Sequence, residues 1–261
     1  MERLPRRLYR SIPSVLVRVA RPVVRTPNGS PSEFLARLST PYEDAVTDMG
    51  FAHWENKVKA FGLVEHEAVL DVGCGPGQWL PVLAKHNGRV VGVDVADLLE
   101  FARRHTRDLG NVGLSRMAGE HLALSDASFD ALLCYGVLPY VAHELALSEF
   151  ARVLRPGGRL VLGSAGYGYY LKNISEGLRH GDVEAVRYGL DILLVKARPF
   201  VQPQVTSWSR RGLRRLVKRH GFTVEAVASD PPDAAWPKTY SGASFFSVVT
   251  ATKSDADKGQ S

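Results

Sequence analysis

The chain has 261 residues, of which 45% are hydrophobic and 23% are charged, as is ordinary for a globular protein. No apolar run approaches the ~20 residues of a membrane-spanning helix, and only two cysteines, Cys74 and Cys134, are present, which argues against a disulfide framework. The net charge of +6 resides in residues 1–25, which hold seven arginines and one acid. These features predict one α/β domain with an extension, a cytoplasmic location, and cysteines that serve as small buried residues.

Residues 1–40 are predicted to be a basic N-terminal extension and linker. Apolar residues recur at near-helical spacing among the arginines of 1–25, but three prolines interrupt any long helix. A loose extension, an arm in weak contact with a membrane surface or a partner, and an organellar transit sequence all fit this composition. The stretch TPNGSP at 26–31 is typical of a linker.

From residue 41 onward, apolar strands alternate with amphipathic helices. This pattern predicts a parallel sheet covered by helices on both faces. The core is predicted over 41–164 and 208–252, and residues 253–261 are predicted to be a disordered tail. The predicted strands are 68–72, 89–94, 112–117, 129–135, 159–163, 222–228 and 244–252, and the predicted helices are 41–61, 78–85, 98–105, 143–154 and 209–220.

The alternation of predicted strands and helices stops over residues 165–207, which are rich in aromatic side chains. A structureless loop of that length is improbable in a compact domain, so we predict a helical insertion. Because it follows the carboxyl end of a predicted strand, the insertion is expected to act as a lid that selects a ligand.

The run VLDVGCGPG at 69–77 joins a strand to three glycines spaced two apart. Glycines in such a turn let bare backbone approach a nucleotide-like ligand. The spacing differs from the dinucleotide pattern G-x-G-x-x-G, and no Walker lysine is present, so it predicts an adenosine ligand without phosphates. Asp94 ends the next strand, where an acid can accept hydrogen bonds from ribose hydroxyls.

In combination these motifs resemble those of the class I S-adenosylmethionine-dependent methyltransferases, over about residues 41–252. VVGVD resembles the second family motif, AGEHL with SDASFDALLC resembles the third and fourth, and LRPGGRLVLG resembles the fifth. The resemblance implies a Rossmann-like, doubly wound, seven-stranded and mostly parallel sheet whose last strand is antiparallel. It also implies S-adenosylmethionine as the cofactor.

The resemblance assigns the cofactor contacts residue by residue. Asp71 would face the methionine ammonium, and Asp94 would bind the ribose. Many family members carry an acid where this chain has Ala118, so adenine recognition would depend on the neighbouring residues. The complete set is Asp71, Gly73, Gly75, Gly77, Asp94, Val95, Gly119, Glu120 and His121.

Methyl transfer is an in-line displacement that needs mainly positioning and a dry site. Tyr135 and His143 follow the fourth strand and are the candidates for catalytic residues, with a base needed only for a protonated acceptor. Tyr140, Tyr167 and Tyr169 are the candidates for contact with the acceptor.

The leading hypothesis is methyl transfer to a small organic molecule, at oxygen, without a metal and without a nucleic-acid partner. Residues 196–220 contain eight basic residues and no acid, which keeps an RNA methyltransferase as an alternative. A protein of this fold that binds the cofactor without methyl transfer is a further alternative.

Overall fold

The computed structural model describes residues 50–95, 99–194, 208–229, 239–241, 243–244 and 246–254. The predicted extension, linker and residues 255–261 lie outside these ranges. In chain order the elements are α1 (Gly50–Ala60), β1 (Ala68–Val72), α2 (Leu80–His86), β2 (Arg89–Asp94), α3 (Leu99–Thr106), β3 (Val112–Arg116), β4 (Phe129–Tyr135), α4 (His143–Val153), β5 (Leu154–Ala165), α5 (Tyr167–His180), α6 (Val183–Leu194), α7 (Arg210–Arg219), β6 (Phe222–Ser229), β7 (Thr239–Tyr240), β8 (Ala243–Ser244) and β9 (Phe246–Lys253).

Seven of the strands form one sheet in the order β3-β2-β1-β4-β5-β9-β6. Strands β1 to β5 run parallel, and β9 is antiparallel to both β5 and β6. The reversal of order beside β1 places the carboxyl ends of β1, β2 and β4 at one edge, where such sheets bind ligands. The predicted fold class, including the antiparallel last strand, is confirmed.

The strands are continuous apolar runs because helices cover both faces of the sheet. All five residues of β1 are buried. Alternate strand residues pack into two separate cores. Helices α4 and α7 cover one core, which contains Leu70, and α1, α2 and α3 cover the other, which contains Val69.

Most predicted strands agree with the structure within two residues, but β5 is much longer than predicted. Pairing begins at Leu154, which lies opposite Phe129, and shifts register before it resumes at Arg159 opposite Ala131. The RPGG turn is therefore an irregularity inside the strand. The predicted helix over 41–61 is described only from Gly50 onward.

The predicted helical insertion is confirmed for its described part. Helices α5 and α6 pack against each other and are joined at Gly181, whose φ of 67° gives the left-handed cap that ends α5. Residues 195–207 of the insertion lie outside the described residues.

Candidate active site

The glycine loop connects the end of β1 to α2 at the carboxyl edge of the sheet. Its three glycines have φ values of +74° at Gly73, +54° at Gly75 and +91° at Gly77, which other residues rarely adopt. A Cβ at Gly73 would lie 2.1 Å from Val137 Cγ2, whereas one at Gly75 would meet only Gln78 Oε1, at 3.8 Å. The loop therefore packs tightly against Val137 at Gly73 and leaves space for a side-chain-sized group at Gly75, although Gly75 itself is buried.

Asp71 lies on β1, just before this loop, and is 1% exposed. Its Oδ2 atom has no hydrogen-bond partner among the described residues. Burial, with a smaller contribution from the negative charge of Asp94, raises the pKa of Asp71 to about 8. A buried acid with an unpartnered oxygen provides a strong site for a cationic group.

Asp94, at the end of β2, is brought against the same loop. The Gly75 N–H donates a hydrogen bond of 2.9 Å to Asp94 Oδ2. The Gly73 N–H also donates to the Val93 carbonyl, at 2.7 Å. The structure thus joins Asp71, the glycines and Asp94 in one constellation, as the motifs predict.

The segment after β3 supplies the third part of this edge. The Met117 N–H donates to the Asp94 carbonyl at 3.2 Å, which places residues 117–121 beside the end of β2. Gly119 is buried, whereas His121 is exposed, as is Val95 at 53%. Glu120 has a structural contact, because its Oε1 accepts a hydrogen bond of 2.9 Å from the Ala142 N–H at the start of α4.

Tyr135, the last residue of β4, lies in an aromatic cluster on the face covered by α1. Its ring stacks on Phe246 with centroids 4.8 Å apart, and Trp79 lies 5.0 Å away. Lys57 Nζ lies 3.4 Å from the Tyr135 hydroxyl and 5.9 Å from the centroid of the Trp54 ring, although Lys57 is only 3% exposed.

The sequence motifs do not point to Lys57 as a site residue. A signal was present, because Lys57 lies at helical spacing from Trp54 and Phe61, which give α1 an apolar side. A lysine on that side is either solvated at its tip or buried against a polar group. The structure shows the second arrangement.

His143 begins α4 and packs toward the opposite face of the sheet from Tyr135. Its ring meets Trp208 edge to face at 5.1 Å, and Trp208 packs on the core beneath α4 and α7. Burial lowers the pKa of His143, and Glu144 opposes this shift. Tyr135 and His143 therefore do not share one cluster of side chains.

The three predicted acceptor residues lie after β4 and β5. Tyr140 closes a short 3₁₀ turn over Leu138–Tyr140, and Tyr167 is the first residue of α5. Tyr169 is buried, and its ring meets that of Tyr170 edge to face at 5.2 Å. Burial raises the pKa of Tyr169, and Tyr140 is near enough to contribute to the shift.

Cys74 and Cys134 are buried and unbridged, and burial raises the pKa of both thiols. They are structural residues, as predicted, because a nucleophilic thiol requires the opposite shift. Within the described ranges, no group of His, Cys, Asp and Glu side chains has an arrangement that could hold a metal ion. In those ranges, too, no helix has the length and apolar character needed to cross a bilayer.

The fold and this edge define a Rossmann-like protein with a glycine-loop ligand site. Residues 70–162 match the family described as "Methyltransferase domain". A solved S-adenosylmethionine-dependent methyltransferase from Aquifex aeolicus has the same fold, with a TM-score of 0.57 and 20% identity over 87% of this chain and 100% of that chain. Residues 70–162 therefore form a methyltransferase domain, and the fold is that of S-adenosylmethionine-dependent methyltransferases, in agreement with the predicted family and cofactor.

Two curated relatives are similar over the same region. The chain is 37% identical to demethylmenaquinone methyltransferase of Tropheryma whipplei over 114 residues. The aligned region covers 42% of this chain and 47% of that protein. It is 31% identical to the ubiquinone biosynthesis O-methyltransferase of Hydrogenovibrio crunogenus over 142 residues. The aligned region covers 50% of this chain and 59% of that protein. The chain thus spans about half the length of these relatives.

Proposed function

We propose that the protein transfers the methyl group of S-adenosylmethionine to an oxygen atom of a small, apolar ring acceptor of the phenol or quinol class. The observation that carries the cofactor part of this proposal is the buried Asp71 carboxyl group, whose Oδ2 has no partner among the described residues. Asp71 precedes the glycine loop, in which a Cβ at Gly75 would meet only Gln78 Oε1 at 3.8 Å, and an ammonium group such as that of the methionine moiety would satisfy its unpartnered oxygen.

The remaining residues of the edge fit this cofactor. We assign Asp94 to the ribose and residues 117–121, with the exposed Val95, to the adenine. When bound, the cofactor supplies an activated methyl group on a sulfonium. The chain's own residues then have to align the acceptor oxygen and exclude water.

The acceptor is assigned to the ends of β4 and β5. Tyr140, Tyr167 and Tyr169 would enclose an apolar ring there. This agrees with the demethylmenaquinone in the name of one relative and with the ubiquinone biosynthesis and O-methyl transfer in the name of the other. Tyr135 would act as a phenolate, stabilised by the Lys57 ammonium whose Nζ lies 3.4 Å from its oxygen, and would take the proton of the acceptor hydroxyl. His143 is the second candidate base, and it would act from the opposite face.

Calorimetry with S-adenosylmethionine tests the donor, and transfer of a labelled methyl group to catechols, hydroquinones, amines and a short RNA tests the acceptor. We expect cofactor binding and a methoxy product, identified by NMR, from a catechol or hydroquinone. Methylation at ring carbon would reject the choice of oxygen. Cofactor binding without turnover on any acceptor would favour the non-methylating alternative, and absence of binding would reject the whole assignment.

A further inference from the structure

Helix α7 has a stripe of four cations with no described neutralising partner. Arg211, Arg214, Arg215 and Lys218 follow the spacing i, i+3, i+4 and i+7, which places them on one face over about 10 Å. All four are exposed. No ion pair joins any of them to an acid within the described part of the chain, and α7 itself contains no acid.

The fold does not need these charges. The opposite side of α7 is anchored by Leu213, Leu216 and Val217, which are 0–3% exposed. The other two arginines of the helix have contacts, since Arg210 donates to Ser229 Oγ and Arg219 pairs with Glu144 at 2.7 Å. The four stripe residues repel one another, which destabilises the helix, and no contact among the described residues compensates for this repulsion.

We infer that this cationic stripe docks the protein on an anionic lipid bilayer. Basic helix faces are attracted to the negative surface of such a bilayer, by roughly five-fold in partition coefficient for each Lys or Arg at the surface. The inference rests on the proposed function in one respect, because an apolar acceptor partitions into the bilayer from which the enzyme would take it.

A second observation favours a bilayer over a nucleic acid. Four large aliphatic side chains are exposed on the α5–α6 pair: Leu178 at 70%, Val183 at 75%, Leu190 at 41% and Leu194 at 47%. A bilayer interface solvates such side chains, whereas single-stranded nucleic acid stacks on aromatic rings. These helices also follow β5 directly, on the acceptor side of the proposed site.

The test measures co-sedimentation of the full chain with phosphatidylcholine vesicles, with and without phosphatidylglycerol, in the absence of cofactor and acceptor. We expect binding that requires phosphatidylglycerol and declines with salt. The variant R211A/R214A/R215A/K218A should lower the partition coefficient by on the order of 10²-fold or more. Circular dichroism and affinity for S-adenosylhomocysteine should be unchanged, since none of the four residues is placed in the cofactor site.

A matched pair of double variants isolates the position of the charges. R214A/R215A should weaken binding roughly 25-fold. R103A/R104A removes a similar exposed pair from α3, where Arg103 already pairs with Glu100 at 3.4 Å, and should change binding less than about two-fold. Equal losses in both variants would overturn the inference, as would undiminished binding of the quadruple variant.

A nucleic-acid partner gives a different outcome. Suppose that the protein binds RNA, that the quadruple variant does not, and that the protein shows no phosphatidylglycerol-dependent vesicle binding. The inference of a bilayer would then be rejected, and RNA would be the partner of the stripe. Vesicle binding is measured without acceptor. If the protein methylates phenols but does not bind vesicles, only the inference of a docking surface is rejected, and the proposed function stands. Retained binding that depends on the stripe, in a preparation that methylates nothing, supports the docking surface and rejects the proposed function.

Discussion

The backbone N–H of Gly75 donates a hydrogen bond of 2.9 Å to Asp94 Oδ2, which fixes the glycine loop of β1 against the end of β2. Asp94 therefore has two tasks in the proposed site: it holds the loop and would bind the ribose. A hydrogen bond to a charged group contributes about 1.5–3 kcal/mol, and its removal leaves the Gly75 N–H unsatisfied.

Asp94→Ala should accordingly weaken cofactor binding by at least ten-fold, and Asp94→Asn, which keeps an acceptor oxygen, should weaken it less. Titration calorimetry with S-adenosylhomocysteine measures both effects. Asp108→Ala is the matched control, because that acid is 84% exposed and pairs only with its neighbour Arg107 among the described residues. Equal affinity in all three variants would mean that the ligand does not bind at the end of β2.

The pKa of Asp71, raised by burial and by Asp94 to about 8, links cofactor binding to pH. Below pH 8 the ligand-free protein holds a proton on Asp71, and a bound ammonium group favours the ionised form, so binding releases that proton. Affinity should rise by up to about ten-fold per pH unit from pH 6 to pH 8 and then level off. Calorimetry at pH 7 in buffers of different ionisation enthalpy should show close to one proton released, and none for Asp71→Asn.

The same shift has the opposite sign for the free energy of unfolding. An unfolded chain loses the Asp71 proton near pH 3.9, whereas the folded protein keeps it up to about pH 8. The folded state binds the proton more tightly, so wild-type stability falls as pH rises between these values, by up to ~1.4 kcal/mol per unit. Asp71→Asn should remove this slope in urea denaturation of the ligand-free protein, and an unchanged slope would contradict the assignment.

The glycine loop allows stability and binding to be separated by position. Gly73→Ala forces a Cβ to 2.1 Å from Val137 Cγ2 at a φ of +74°, and should lower the free energy of unfolding by about 2–4 kcal/mol. Gly75→Val meets no such clash at its Cβ, so its loss of stability should come from the backbone strain of a β-branched residue at a φ of +54°, and it should remove most of the cofactor affinity.

The control for these variants is Gly113→Ala. Gly113 lies in β3 without a positive φ, and a Cβ added there would meet no neighbouring atom within 4 Å, so both quantities should stay near wild type. Thermal unfolding and calorimetry on the same preparations give the comparison. If Gly75→Val bound the cofactor normally, the proposed position of the ligand over the loop would be wrong.

The sequence predicted the strands and the glycine loop at the carboxyl edge of the sheet well, because these depend on local features. β1, β2 and β4 begin and end at the predicted residues, and Asp71, the glycines and Asp94 meet as their motifs require. Glu120 shows the limit of such motifs, because its contact with the Ala142 N–H joins segments 22 residues apart. The acceptor side depends on packing between distant segments: helical spacing places Lys57 on the apolar side of α1, but its contact with Tyr135, 78 residues away, cannot be predicted from either local sequence.

That packing leads to the last prediction, on Tyr135 and Lys57. Tyr135→Phe keeps the ring stacked on Phe246 and removes only the hydroxyl, so kcat should fall by about 10²-fold or more while cofactor affinity stays within about two-fold. Lys57→Met keeps a long apolar side chain and should lower kcat as well, since the hydroxyl loses its partner at 3.4 Å.

Lys59→Met is the matched control for the lysine, because Lys59 lies on the same helix, is 55% exposed and pairs with Glu55 at 3.1 Å. It should leave kcat unchanged.

His143→Gln tests the base on the opposite face. A large loss of kcat in His143→Gln together with full activity in Tyr135→Phe would mean that His143, and not Tyr135, is the base, since the two residues lie with different cores of the sheet.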